Sequence, residues 1–124
     1  MASAEKKKTL IIGASANPER YSYLALDRLR NAGHDVVAIG RRKAEVKDVA
    51  IDVEKKPYSD VHTVTLYLNP THQKEYYDYI LSLQPARIIF NPGAENEELS
   101  RLATQQGIQA LEACSLVLIS TGQY

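Results

Sequence analysis

Gly13, Ala14, Ser15, Asn17 and Arg20 fall within the run LIIGASANPERYS, where an apolar stretch opens into a loop of small residues. Backbone amides in such a loop, the Ser15 hydroxyl and the positive end of a following helix can together hold a diphosphate. Arg20, one turn into that helix, can add a charge-assisted hydrogen bond. The loop departs from the dinucleotide fingerprint, because Ser15 stands two positions beyond Gly13 and Pro18 occupies the third glycine position. A phosphate-bearing ligand is favoured over a plain tight turn, and its identity must come from elsewhere in the chain.

The end of the second apolar run narrows the choice. A site for NAD places Asp or Glu about 20 residues beyond the glycine loop, to accept hydrogen bonds from the adenosine ribose. Here the turn is Gly40, Arg41, Arg42 and Lys43. A cationic turn attracts a ribose phosphate that an acidic group would repel, so CoA or NADP fits better than NAD. Asn69 with Pro70, and Asn91 with Pro92 and Gly93, end two further apolar runs with polar amides and restricted backbone, suited to contact with a sugar or a pantetheine chain or simply to turn formation. Asn96 or Glu95 can cap the helix that follows. Cys114 stands beyond the last apolar run, where it can meet the thiol end of a bound CoA or fill an apolar gap. His72 has no cysteine or carboxylate at a spacing that makes a catalytic set, so no catalytic residue is assigned. Tyr76, Tyr77 and Tyr79 suit packing or a subunit surface.

Strands expected at 8–12, 35–39, 61–68, 87–90 and 108–111 alternate with helices expected at 18–32, 72–82 and 97–106. Asn17 is the expected cap of the first helix, with Pro18 in its first turn and Asn31, Ala32 and Gly33 as its stop. Residues 44–57 are weakly patterned, with a short extended piece near 49–53, and the last ten residues read as a short helix or an extended tail. The alternation implies an α/β fold whose mostly parallel five-stranded sheet is covered on both faces, with ligands beyond the carboxyl ends of the strands.

The chain has 124 residues, 44% hydrophobic and 24% charged, which suffices for one core and is short for two domains. The expected organisation is a flexible N-terminus over residues 1–7 and one domain over 8–124. Lys and Arg total 15, as do Asp and Glu, so no global field directs the protein to nucleic acid or an anionic membrane. Neither a signal-peptide core nor a run of roughly 20 apolar residues is present, so the expected location is cytoplasmic. A single cysteine and three scattered histidines exclude an intrachain disulfide and offer no metal spacing.

From LIIGAS through GHDVVAIGRR, TVTLYLNP, YYDYILSLQPARIIFNPGAENEEL and ACSLVLISTGQY, the sequence resembles the small stand-alone CoA-binding proteins with a Rossmann-like fold, related to the CoA-binding domain of the succinyl-CoA synthetase alpha subunit. The resemblance implies a three-layer Rossmann-like domain. It places Gly13, Ala14, Ser15, Asn17 and Arg20 at the phosphates and Gly40, Arg41 and Arg42 at the adenosine end. It puts Asn69, Pro70, Asn91, Pro92, Gly93, Asn96 and Cys114 on the remaining loops of the site. The synthetase continues into a domain with a phosphorylated histidine that has no counterpart here, so ligase activity is not expected. A non-catalytic CoA or acyl-CoA carrier, sensor or accessory protein is the expected function. The alternatives are a small NADP-dependent oxidoreductase and a structural or regulatory subunit with a vestigial pocket. A homodimer or a separate acyl-CoA-using enzyme is the expected partner.

Overall fold

The computed structural model describes residues 6–124. The expected flexible N-terminus therefore lies mostly outside the described residues, and its last two members are anchored: Lys6 Nζ donates to Ala32 O at 2.7 Å and Lys7 N to His34 Nδ1 at 2.9 Å.

Seven strands form one sheet: β1 (Thr9–Ala14), β2 (Val36–Gly40), β3 (Ala44–Val46), β4 (Val49–Asp52), β5 (Thr63–Leu66), β6 (Arg87–Phe90) and β7 (Gln109–Glu112). Their order is β3-β4-β2-β1-β5-β6-β7, and every pairing is parallel except β3 with β4. The α/β class holds, with seven strands where the patterning suggested five. The two additional strands are a short hairpin in the weakly patterned segment. Val46, Val49 and Ile51 are its buried core residues, with Ala44 packed partly buried beside them, and its turn at Lys47 and Asp48 lacks the Asn-Gly signature that would have marked it. Lys47 takes the left-handed conformation, φ 55°, and its ammonium reaches Asp27 at 3.0 Å. Arg30 grips Asp48 through two bonds of 2.9 and 2.6 Å, which holds the Asp48 carboxyl below its ordinary range and ties the hairpin to the first helix.

The central strands are buried on both faces, as parallel strands under helices must be. Along β1, Leu10 and Ile12 join the core of one face with Ile88 and Phe90, while Ile11 and Ala14 join the other with Ile89. Helices α1 (Tyr21–Asn31) and α5 (Ser115–Ser120) cover the second face. The first is covered by α2 (Pro70–Gln73), α3 (Tyr77–Leu83) and α4 (Glu97–Gln105), together with the extended β4 to β5 connection through Tyr58.

Two helices differ from expectation. Asn17 does not cap α1: its Oδ1 accepts from Glu19 N at 3.0 Å and its carbonyl from Arg20 N at 3.0 Å, which closes a separate turn and delays the helix to Tyr21. The single helix expected at 72–82 is divided by a 3₁₀ turn, Lys74–Tyr76. There the Glu75 carbonyl accepts from Lys55 Nζ at 2.6 Å, an outside donor that draws it away from the regular ladder. The tyrosines of this segment are inward packing residues: Tyr76, Tyr77 and Tyr79 lie half-buried against the core, and Tyr79 OH donates to Lys56 O.

At the amino ends of the strands, Tyr124 is buried with its hydroxyl 2.6 Å from Thr9 Oγ1 and its ring 4.5 Å beneath the Arg87 guanidinium. Buried His34 packs 5.2 Å from that ring. Because His34 Nδ1 accepts the Lys7 amide, the ring is neutral with its proton on Nε2. Burial first, then the charges of Lys6, Lys7 and Arg87, lower its pKa from 6.5. The unfolded chain then takes up a proton in a range where the folded one resists it, so the stability from neutral His34 falls as pH drops below about 6.5. Thermal melts from pH 7 to pH 5 should show this loss, and His34→Gln should flatten it; an unchanged pH profile in that variant would remove His34 as the cause.

Candidate functional site

Five parallel strands put the loops after β1, β2, β5, β6 and β7 on one rim. All fifteen residues singled out in the sequence lie on or beside it. The order in which strands are added reverses at β1: strands β2 to β4 build outward on one side of β1, and β5 to β7, parallel to it, on the other. The crevice at such a switch point is where open α/β sheets bind their ligands.

Gly13 makes the switch point possible. It interrupts the register of β1 between Ile12 and Ala14 with φ +94°, and an added Cβ would sit 3.2 Å from Tyr67 and Leu68. Ser15 Oγ accepts from Asn17 N at 3.0 Å, so the loop is folded on itself before α1 begins. Arg20 is the N-cap of α1 and provides no side-chain cap, and the first turn carries no acidic residue. Among the described residues no side chain therefore caps the positive end of this 11-residue helix. Arg20 is exposed, with no side-chain partner among the described residues.

Gly40 ends β2 directly against Ala14, since an added Cβ would come within 2.3 Å of the Ala14 carbonyl oxygen. Arg41 and Arg42 follow, exposed, and no hydrogen bond or ion pair engages either guanidinium among the described residues. The parallel pairing of Ile39 with Asp52 sets the β4 turn beside them, which adds Lys55 and Lys56 to the same corner. Sequence spacing missed these two, because the hairpin that returns the chain to β2 carried no turn signal. Both are engaged: Lys56 pairs with Asp52 at 3.1 Å, and Lys55 lies 3.8 Å from Glu75 and 4.9 Å over the Tyr76 ring. The unpaired cations of this corner are therefore Arg41 and Arg42.

On the other side of the crevice, Asn69 caps α2 by accepting from His72 N at 3.0 Å, and Pro70 starts the helix; both are exposed. His72 is exposed on α2, and among the described residues no group of metal-binding side chains forms. Pro92 and Gly93 are exposed as well, whereas Asn91 and Asn96 face inward. Asn91 is 2% exposed, donating to Thr65 Oγ1 and Leu66 O and accepting from Ser115 N, so it fixes β5 and α5 from within. Asn96 caps α4 through Leu99 N. Cys114 is half-buried at the N-cap of α5. Near it lies a residue with no sequence signal, Tyr67, whose buried hydroxyl has no hydrogen-bond partner among the described residues. Burial pushes that hydroxyl up to about 12, against the opposing pull of Ser115 and Thr65.

The opposite end of the sheet offers concavities without convergent chemistry. One of about 270 Å³ is lined by Lys8, Arg30, Asp35 and Asp48, among which Arg30 already pairs with Asp48 at 2.6 Å. Another of about 660 Å³ mixes Lys6, Lys8 and His62 with Asp35 and Asp60. Interleaved opposite charges compensate one another there, whereas the rim has unpaired cations beside an uncapped helix.

A doubly wound sheet with a glycine-bulged loop at its switch point and cations on the adjacent strand defines an α/β domain of the nucleotide-binding type. Residues 7–120 match the CoA binding domain family, and the chain belongs to that family. A solved structure of an uncharacterized protein is 47% identical, with a TM-score of 0.95 over 98% of this chain and 100% of that one. The cell-free ID.343 protein from Thermus thermophilus shares the fold at 18% identity, TM-score 0.80, over 96% of this chain and 91% of its own. A hypothetical protein from Pyrococcus horikoshii OT3 does so at 24% identity, TM-score 0.83, over 94% and 83% respectively. No curated protein matches. Among the described residues no helix is long and apolar enough to cross a membrane.

Proposed function

We propose that this chain binds CoA or an acyl-CoA without transforming it, as a carrier, a sensor or an accessory to a separate acyl-CoA-using enzyme in the cytoplasm. The observation that carries the reading is the pair of unengaged guanidiniums, Arg41 and Arg42, on the strand whose Gly40 abuts the phosphate loop at Ala14. CoA has a diphosphate and a ribose 3′-phosphate, and this corner offers one anion-binding element for each. In this reading the diphosphate lies over residues 13–17 with Arg20, and the 3′-phosphate at Arg41 and Arg42. Pantetheine runs toward Asn69, Pro70, Pro92 and Gly93, with Cys114 beyond. When bound, CoA would supply a thiol or thioester at the far end of this path. The chain's own part is to hold the phosphates and orient the arm.

The same arginines also suit the 2′-phosphate of NADP, which keeps a small oxidoreductase as the second reading. Calorimetric titration of ligand-stripped protein with CoA, dephospho-CoA, NAD and NADPH separates them. Saturable binding of CoA in preference to the other three is expected. A preference for NADPH would put the oxidoreductase first, and no binding of any of them would leave a structural or regulatory subunit.

A further inference from the structure

Gln73, the last residue of α2, lies behind the rim and is completely buried. Its Nε2 donates to two main-chain carbonyls that belong to different rim loops, Leu68 O at 2.8 Å and Ala94 O at 2.7 Å. Its Oε1 accepts from Asn96 Nδ2 at 2.9 Å. The orientation of both amides is forced: Asn96 Oδ1 accepts the Leu99 amide, so its nitrogen must face Gln73, whose own nitrogen must then face the carbonyls. Asn96 Nδ2 reaches Tyr77 OH as well, at 2.8 Å. The loop after β5 and the loop after β6 are therefore held at one separation by a single fully bonded amide, and neither can move without unpairing a buried polar group.

We propose that Gln73 is a positioning residue for the pantetheine arm. It fixes the distance between the wall formed by Asn69 and Pro70 and the wall formed by Pro92 and Gly93, without touching the ligand. This rests on the CoA reading above. The nucleotide half of the ligand contacts the β1 and β2 loops, which Gln73 does not brace, so the inference predicts a split between two ligands rather than a general loss.

The test is titration of wild type, Gln73→Met and Asn96→Ser with CoA and with adenosine 3′,5′-bisphosphate, which lacks the pantetheine arm. Serine retains an N-cap acceptor for α4 and removes the Nδ2 bonds to Gln73 and to Tyr77 OH. In the variants CoA should bind about ten-fold more weakly while the bisphosphate stays within about two-fold, the size expected for a strained or unpaired buried amide felt through one part of the ligand. Unchanged CoA affinity would overturn the inference and leave the CoA reading intact, and so would an equal loss for both ligands. Should Gln73→Met fail to fold, Asn96→Ser decides alone. A wild-type chain that binds neither ligand removes the CoA reading and this inference with it.

Discussion

Replacing Arg41 and Arg42 together by alanine should weaken CoA binding by roughly ten- to a hundred-fold and leave dephospho-CoA within about two-fold. The two ligands differ only in the 3′-phosphate, so their ratio isolates the one contact these arginines are proposed to make. Both side chains are exposed, and exposed ion pairs are weakened by solvent, which places the joint loss at about 1.5 to 3 kcal/mol rather than the value of a buried pair. No protein partner competes for either guanidinium among the described residues, so their removal breaks no ion pair and leaves stability nearly unchanged. Lys43 provides the internal comparison, because it faces Glu54 at 4.0 Å on the same turn and should contribute less when replaced by alanine. The discrimination against dephospho-CoA should also shrink as salt is raised, since screening acts on exposed charges first. Equal weakening of both ligands in the calorimeter would exclude a 3′-phosphate contact here, and no weakening of either would exclude the corner altogether.

The sequence made the parallel frame legible because the strands that build it are apolar on both faces. β6 was bounded correctly at both ends, and β1, β2 and β7 to within two residues, because strands such as RIIF have no competing periodicity. Once the strands were placed, chain direction alone carried Gly13, Gly40, Asn69, Asn91 and Cys114 to one rim. What those residues do there was less legible. Asn96 was legible as a cap of α4. Asn91 stands at a loop position typical of ligand contact, yet its amide turns inward, and nothing in an Asn-Pro-Gly turn distinguishes the two orientations. Gln73 gave no signal, because a buried glutamine and an exposed one read alike within a helix. Of the hairpin only the extended piece near 49–53, which is β4, was legible; β3 and the pairing were hidden by length, since three and four residues give too few alternations to establish a period of two.

Gly40→Ala tests how the sheet holds the phosphate loop. The expected result is a loss of about 2 to 3 kcal/mol and a melting temperature lower by about 10 °C, together with weaker CoA binding. A single methyl group has this effect because it would sit 2.3 Å from the Ala14 carbonyl oxygen and 3.0 Å from Ile51 Cγ2, and the first of these is main chain with no rotamer to escape into. Either β2 must withdraw from the end of β1 or the Ala14 peptide must rotate. That peptide follows the Gly13 bulge and leads directly into Ser15, so either movement displaces the amides proposed to face the diphosphate. Gly93→Ala is the informative control. Gly93 takes a left-handed φ of +92° with nothing within 4 Å of an added Cβ, so its cost is conformational alone, about 1 kcal/mol. Thermal melts of the two variants should therefore rank Gly40→Ala as the more damaging, although only Gly93 has the unusual backbone. If the order is reversed, close approach of β2 to the phosphate loop is not what holds that loop in place.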